Sequence, residues 1–331
     1  MHIPEGMVSP AVAALSGAGS AGAVAFGVSW VRKNLDPRRI VLMAVLGALI
    51  FALQMLNFPI SGGTSGHFAG GALAGIVLGP WAAVIVLTSV LAVQAFVFAD
   101  GGIIALGANV LNMAIVAPFV GYAAYRAIVA LWARLSGEVS ARQGRVAREA
   151  IAAFVAAWLG AFAASLAVVV ELALSGTANF VVALVSMQAT HAVIGVGEGA
   201  ITGGLVAYLV AVRPDLLAAD GGGGHTSPMK GVVAVLLALA IVAAGISFVA
   251  SSNPDGLEWV YFDQGVGNAE AVEGAPSLIG DGGPLADYAV RGIGNDALSS
   301  ALAGVVGLSV VGGLLLAVTL RKRPANQDGD R

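Results

Sequence analysis

Cysteine is absent from these 331 residues, and only 11% of them are charged. The first absence excludes disulfides, thiolate zinc sites and iron–sulfur clusters, leaving imidazoles, carboxylates, amides and backbone atoms as possible metal ligands. The second sets the chain apart from soluble domains, in which about 25% of residues are charged. Histidine is scarce too, with four residues. No GxxxxGKS/T phosphate loop occurs, so the chain has no visible means of hydrolysing ATP, and the lack of HExxH argues against a metallohydrolase. What is present is apolar. Hydrophobic residues make up 58% of the chain, more than a soluble interior can bury, which implies lipid as solvent. The 46 glycines suit helices that approach one another closely in a bilayer.

Apolar runs of about 20 residues read as membrane helices. They fall at 10–30, 40–58, 81–98, 103–125, 149–172 and 180–212, with a shorter run at 68–78 after a Gly/Ser loop. The stretch DGGGGHTSPMK is too polar and glycine-rich to cross a membrane and reads as a flexible linker. Beyond it come a span at 231–250, a polar segment 251–296 and a last span at 297–320. The expected architecture is an all-α polytopic membrane protein. It has a seven-helix unit at 1–212, a linker at 213–230 and a two-span unit at 231–331 with an outward loop at 251–296.

Charge orients this scheme. With the N-terminus outside the cytoplasm, the inward segments hold fifteen of the sixteen Lys and Arg residues and only Arg291 lies outside, as the positive-inside rule requires. The outward loops hold eleven carboxylates, counting Glu171 at its boundary, and would draw cations to that face. The short run 68–78 reaches about 16 Å against a hydrocarbon core of about 30 Å. The preceding loop NFPISGGTSGH must therefore dip into the membrane, where protein or a polar cavity lines its backbone. Gly71, Gly75 and Gly79 give that run one face without side chains.

MHIPEG opens the chain without a positive n-region, and the first apolar run ends in basic residues instead of a cleavage site, so the terminus is expected to survive. His2 is too large for methionine excision, so Met1 should keep its free amine. That amine has an ordinary pKa of about 7.7, low enough for a metal to displace its proton. With the backbone nitrogen and Nδ1 of His2 it can close two fused chelate rings, a planar nitrogen set suited to Ni(II) or Cu(II) and tolerated by Co(II). Pro4 stiffens the chain behind it. His67, flanked by the small residues Ser65 and Gly66, is the candidate for the fourth corner. His225 lies in the linker.

Other polar residues within apolar spans cost energy unless paired, and mark sites by default. His191 and Glu198 are seven apart and share a helix face, beside a second glycine series at 195, 199 and 203. They read either as a hydrogen-bonded network joining helices or as a proton or cation relay. The relay would make the chain a gradient-driven secondary transporter or channel. Asn57, Ser65, Gln94, Asn109 and Asn112 are candidates to line the metal cavity or brace the loop.

MHIPEGMVSP resembles the start of the CbiM/NikM family, the substrate-specific membrane components of energy-coupling-factor cobalt and nickel importers, whose usual opening is similar to MHIPDG. NFPISGGTSGHFAG, ADGGIIALGANVLNMA and HAVIGVGEGAIT are similar to further segments of that family, so the resemblance covers about 1–212. SSNPDGLEWV, between the last two spans, resembles the small CbiN/NikN companion subunit. The resemblance implies that Co(II) or Ni(II) is carried as substrate, with no permanent cofactor, on Met1, His2 and His67. It also implies a transmembrane coupling subunit similar to CbiQ/NikQ and cytoplasmic ATPase subunits similar to CbiO/NikO, in the cell membrane and without a nucleic-acid partner. Glu5 stands where the family often has Asp, and keeps the charge. Cobalt and nickel remain open, as does the use of the metal for cobalamin or nickel enzymes.

Overall fold

The computed structural model describes residues 1–60, 62–136, 142–217, 230–268, 272 and 284–320. The linker centre with His225, and Glu270, Glu273 and Asp281 of the expected outward loop, lie outside the described residues.

Helix α1, Pro10–Asn34, begins where the Ser9 hydroxyl accepts the Val12 N–H and Pro10 takes the first helical position, and it ends on Arg32 and Lys33. Helix α2 is Pro37–Gln54. A two-stranded antiparallel hairpin follows, β1 (Phe58–Ile60) pairing with β2 (Thr64–Gly66). Helix α3, Gly71–Leu78, and helix α4, Pro80–Val93, meet at Gly79, whose φ of 85° ends the first helix before Pro80 starts the second. The second continues as a π-helical turn, Gln94–Phe98. Helix α5, Leu106–Asn109, runs through a π-helical segment, Val110–Val116, into α6, Ala117–Ser136. Helices α7, Arg142–Ser175, and α8, Phe180–Val212, are long antiparallel partners. Helix α9 is Lys230–Gly245, α10 the single turn Gly256–Glu258, and α11 Asp296–Leu320.

The protein is therefore an all-α polytopic membrane protein with one small hairpin. Six helices among the described residues are long and apolar enough to cross: Pro10–Asn34, Pro80–Phe98, Leu106–Leu135, Gly144–Ser175, Phe180–Val212 and Asp296–Val318. The apolar parts of α2 and α9, Arg39–Gln54 and Val233–Gly245, are shorter. Helix α3 is shorter still, because Gly70 at φ 77° holds the chain out of the helix and 68–70 stay in the loop. Its eight residues rise about 12 Å, and all of them are buried.

Small residues make this packing possible. A Cβ on Gly71 would stand 2.5 Å from the Ala117 Cβ, and one on Gly75 2.7 Å from the Pro118 carbonyl, so α3 lies directly against α6. Gly195, Gly199 and Gly203 meet Trp158, Phe154 and the Ala150 carbonyl of α7 in the same way. Helix α11 presses on α2, where a Cβ on Gly307 would overlap the Phe51 ring at 2.0 Å and one on Gly47 the Leu315 side chain at 2.5 Å. Hydrogen bonds join several of the connections to one another. Ser251 N–H donates to the Asn57 carbonyl, Thr177 Oγ1 to Met7, Asn268 N–H to Thr177 and Leu285 N–H to Val97.

Candidate metal centre

The N-terminal segment is threaded into this end of the bundle. Ile3 is fully buried; its N–H donates to Asn109 Oδ1 at 2.7 Å, and its carbonyl accepts from Asn109 Nδ2 at 3.1 Å and Gly102 N–H at 2.8 Å. Glu5 Oε1 accepts the N–H groups of Ile103 and Ile104 at 2.7 and 3.1 Å. Gly101 at φ 88° allows that loop to close over the terminus, since a Cβ there would lie 3.3 Å from the His2 Cβ. Met1 and His2 are in consequence only 6% and 7% exposed.

His67 comes from the strand edge below. Both oxygens of Glu198 on α8 hold the loop behind it, accepting the N–H groups of Ala69 and Gly70 at 2.7 and 2.9 Å, while Gln54 Nε2 donates to the Ala69 carbonyl. On its other side β2 is covered by the C-terminal unit. Ser65 N–H donates to the Pro254 carbonyl at 2.9 Å and Ser65 Oγ to the Asn253 carbonyl at 2.8 Å, bridging Ser65 to Asp255.

These constraints bring the Met1 amine 2.7 Å from His67 Nε2. Two nitrogens bound at about 2.0–2.1 Å on adjacent corners of one ion lie about 3 Å apart, so the pair has the spacing of neighbouring ligands. The His2 and His67 rings stack at 5.0 Å with 17° between planes. His2 Nε2 faces Gln94 Oε1 at 3.2 Å, and Nδ1 faces Asp100 Oδ1 at 3.2 Å. Burial lowers the His2 pKa against the opposing pull of Asp100, and burial with the adjacent terminal amine holds His67 well below the imidazole range. Among the described residues no group of three His, Cys, Asp or Glu side chains is placed to hold a metal.

Asp255 is the residue that sequence reasoning missed, having counted it only among the carboxylates of the outward loops. It caps α10: Oδ1 accepts the N–H groups of Leu257 and Glu258 at 2.8 and 2.9 Å, and Glu258 Oε2 accepts the Asp255 N–H. That leaves Oδ2 to pair with the Met1 ammonium and to stand 3.9 Å from His67 Nε2. Burial alone would raise this carboxyl, yet the ammonium beside it holds it below the usual carboxylate range. The available signal was the D-x-x-E capping box in NPDGLE, a rigid turn within an otherwise loop-like stretch.

The remaining candidates separate. Gln94 and Asn109 join the cluster. Ser65 ties the hairpin to the C-terminal unit, and Asn57 receives Ser251 on its carbonyl. Asn112 lies apart, donating to Glu171 at 2.6 Å; that carboxylate, counted with the outward loops, is buried within α7 and also accepts from Ser16. His191 Nδ1 lies 2.9 Å from the Met187 carbonyl one turn back. His191 and Glu198 line a small cavity together with Met1, His67, Ile194 and Gly256.

The chain is similar to known proteins over its whole length. The model of the cobalt uptake substrate-specific transmembrane region matches residues 2–216, and that of the PDGLE domain matches 230–323. The chain is 38% identical to the putative fused nickel transport protein NikMN of Archaeoglobus fulgidus, across 98% of this chain and 100% of the relative. It is 32% identical to the fused nickel transport protein NikMN of Rhodobacter capsulatus, across 97% and 98%, and 32% identical to the cobalt transport protein CbiM of Geobacter sulfurreducens, across 82% and 78%. A crystal structure of a truncated transition metal transporter aligns with 63% of this chain and 98% of its own at 40% identity and a TM-score of 0.54. The chain belongs to the CbiM family of cobalt uptake substrate-specific transmembrane proteins, and carries a PDGLE domain after it.

Proposed function

We propose that the chain is the substrate-capturing membrane subunit of an ATP-driven energy-coupling-factor importer for Ni(II) or Co(II). The observation that carries this reading is the 2.7 Å approach of the Met1 amine to His67 Nε2, with the His2 ring stacked alongside. In the proposed centre the amine, the His2 backbone nitrogen and His2 Nδ1 take three corners of one ion and His67 takes the fourth. Metal entry frees the amine from Asp255 and takes the place of the Asp100 carboxylate in front of Nδ1. Nitrogen donors and a deprotonated amide suit these ions, whereas Mg(II) and Ca(II) call for oxygens. Of the two we favour nickel, because two fused relatives that match over nearly the whole chain are named as nickel transport proteins.

In this reading residues 1–212 capture the metal, 213–230 form a cytoplasmic linker, and 231–331 help to load it. The end bearing the terminus faces outward, a choice supported by the distribution of Lys and Arg. Energy comes from a coupling subunit and separate ATPase subunits. The test is uptake by the full chain reconstituted with those subunits. ATP-dependent accumulation of Ni(II) or Co(II) is expected, and accumulation driven by an ion gradient without ATP would replace this account with a secondary transporter using His191 and Glu198.

A further inference from the structure

Three residues other than glycine hold a left-handed backbone among the described residues, and all three flank one hydrogen-bonded chain: Ala99 at φ 56°, Asp287 at 54° and Tyr288 at 55°. Side-chain-bearing residues avoid this region, and such outliers gather where a side chain must be aimed. Ala99 turns Asp100 toward the terminus. Tyr288, in the C-terminal unit, stacks on Phe98 at 4.7 Å with 20° between rings. Its hydroxyl donates to Asp100 Oδ2 at 2.5 Å and accepts from Gln94 Nε2 at 3.1 Å, while Gln94 Oε1 faces His2 Nε2 at 3.2 Å.

The direction of this chain follows from what each group can do. A carboxylate only accepts, so the Tyr288 proton goes to Asp100. The phenolic oxygen is then the acceptor, and the fully buried Gln94 amide turns its NH2 toward it. The Gln94 carbonyl is left facing His2 Nε2, which must carry a proton to satisfy it. Without that bias Asp100 Oδ1, 3.2 Å from Nδ1, would draw the proton to the other ring nitrogen.

We propose that Tyr288 is a positioning residue: acting through Gln94, it holds His2 with its proton on Nε2, so that Nδ1 is the nitrogen open to the metal. This rests on the reading of Met1, His2 and His67 as the chelating set. Tyr288→Phe keeps the ring and its stack on Phe98 and removes only the hydroxyl. Gln94 is then free to turn its NH2 toward His2 and select the opposite tautomer.

The full-length protein, labelled at its histidines with nitrogen-15, reports the tautomer by NMR, and titration with Ni(II) reports affinity. The wild-type ring should carry its proton on Nε2. In Tyr288→Phe the proton should move to Nδ1 and affinity should fall about 10–100-fold. Adding Gln94→Glu, an acceptor without a donor, should restore both, a rescue that a merely structural tyrosine would not show. If Tyr288→Phe folds poorly, Gln94→Met removes the acceptor from the other end and should give the same change. An unchanged tautomer in either variant overturns the proposal, as does a loss of affinity that Gln94→Glu fails to restore. His67→Ala separates this from the reading beneath it. If it leaves Ni(II) affinity unchanged, the chelating set is wrong; if it abolishes binding while Tyr288→Phe alters nothing, only the role of Tyr288 is wrong.

Discussion

The terminal nitrogen of Met1 and Nε2 of His67, 66 positions apart in sequence, face each other at 2.7 Å in a buried setting. Two basic nitrogens at that distance share one cation or one proton, and the surrounding structure is built to hold them there. Asn109, Gly102 and Glu5 fix the extended segment behind Met1, while Glu198 fixes the loop behind His67.

Asn109 grips Ile3 by both its N–H and its carbonyl, so Asn109→Ala leaves a buried N–H without its acceptor. The cost should be about 1–3 kcal/mol of stability. Metal affinity should fall about 10–100-fold, since the amine is no longer aimed at His67. Thermal unfolding and calorimetric titration of the same preparation check both values.

Glu198→Gln offers one acceptor oxygen to two N–H groups and points its own N–H2 at the second. Stability should drop by about 1–3 kcal/mol and metal binding should weaken along with it, because the His67 loop loses its strut. Glu198→Gln binding metal normally while failing to transport would instead favour a relay through this helix.

Asp255 pairs with the Met1 ammonium in the metal-free protein, which raises the question of whether it helps or hinders binding. At equal distance a carboxylate attracts a dication twice as strongly as the ammonium proton it competes with, so the net effect favours the metal. Asp255→Asn should weaken affinity about 10-fold or more. Its fold should survive, because Asn caps helices as well as Asp does. Equal affinity in the variant, measured by competition with a chelator of known strength, would leave Asp255 as a simple tether.

Much of the bundle was legible in hydropathy alone, because a lipid-facing helix must be both long and apolar. Helices α2, α3 and α9 carry the same apolar signal, but their lengths depend on where the chain breaks, and Gly70 at φ 77° is a backbone conformation that no hydropathy pattern specifies. Met1, His2 and His67 could be singled out because donor chemistry is local to each residue. Asn112 and Glu171 could not be separated from the site in sequence, since pairing between α7 and the 110–116 segment is a tertiary fact. Asp255 was hidden for the same reason. Its role depends on the edge of β2 meeting 253–255 across almost 190 positions of sequence.

The central claim is that the terminal amine itself binds the metal, and a short extension tests it. Placing Gly-Gly-Gly before Met1 turns the amine into an amide while leaving every side chain in place and keeping the new amine too far from His2 to form a chelate with it, and Ni(II) titration of folded, membrane-inserted protein reads the consequence. The account requires high-affinity binding to disappear in this variant with its helical content and melting behaviour preserved. Unchanged Ni(II) affinity in the extended protein would contradict it.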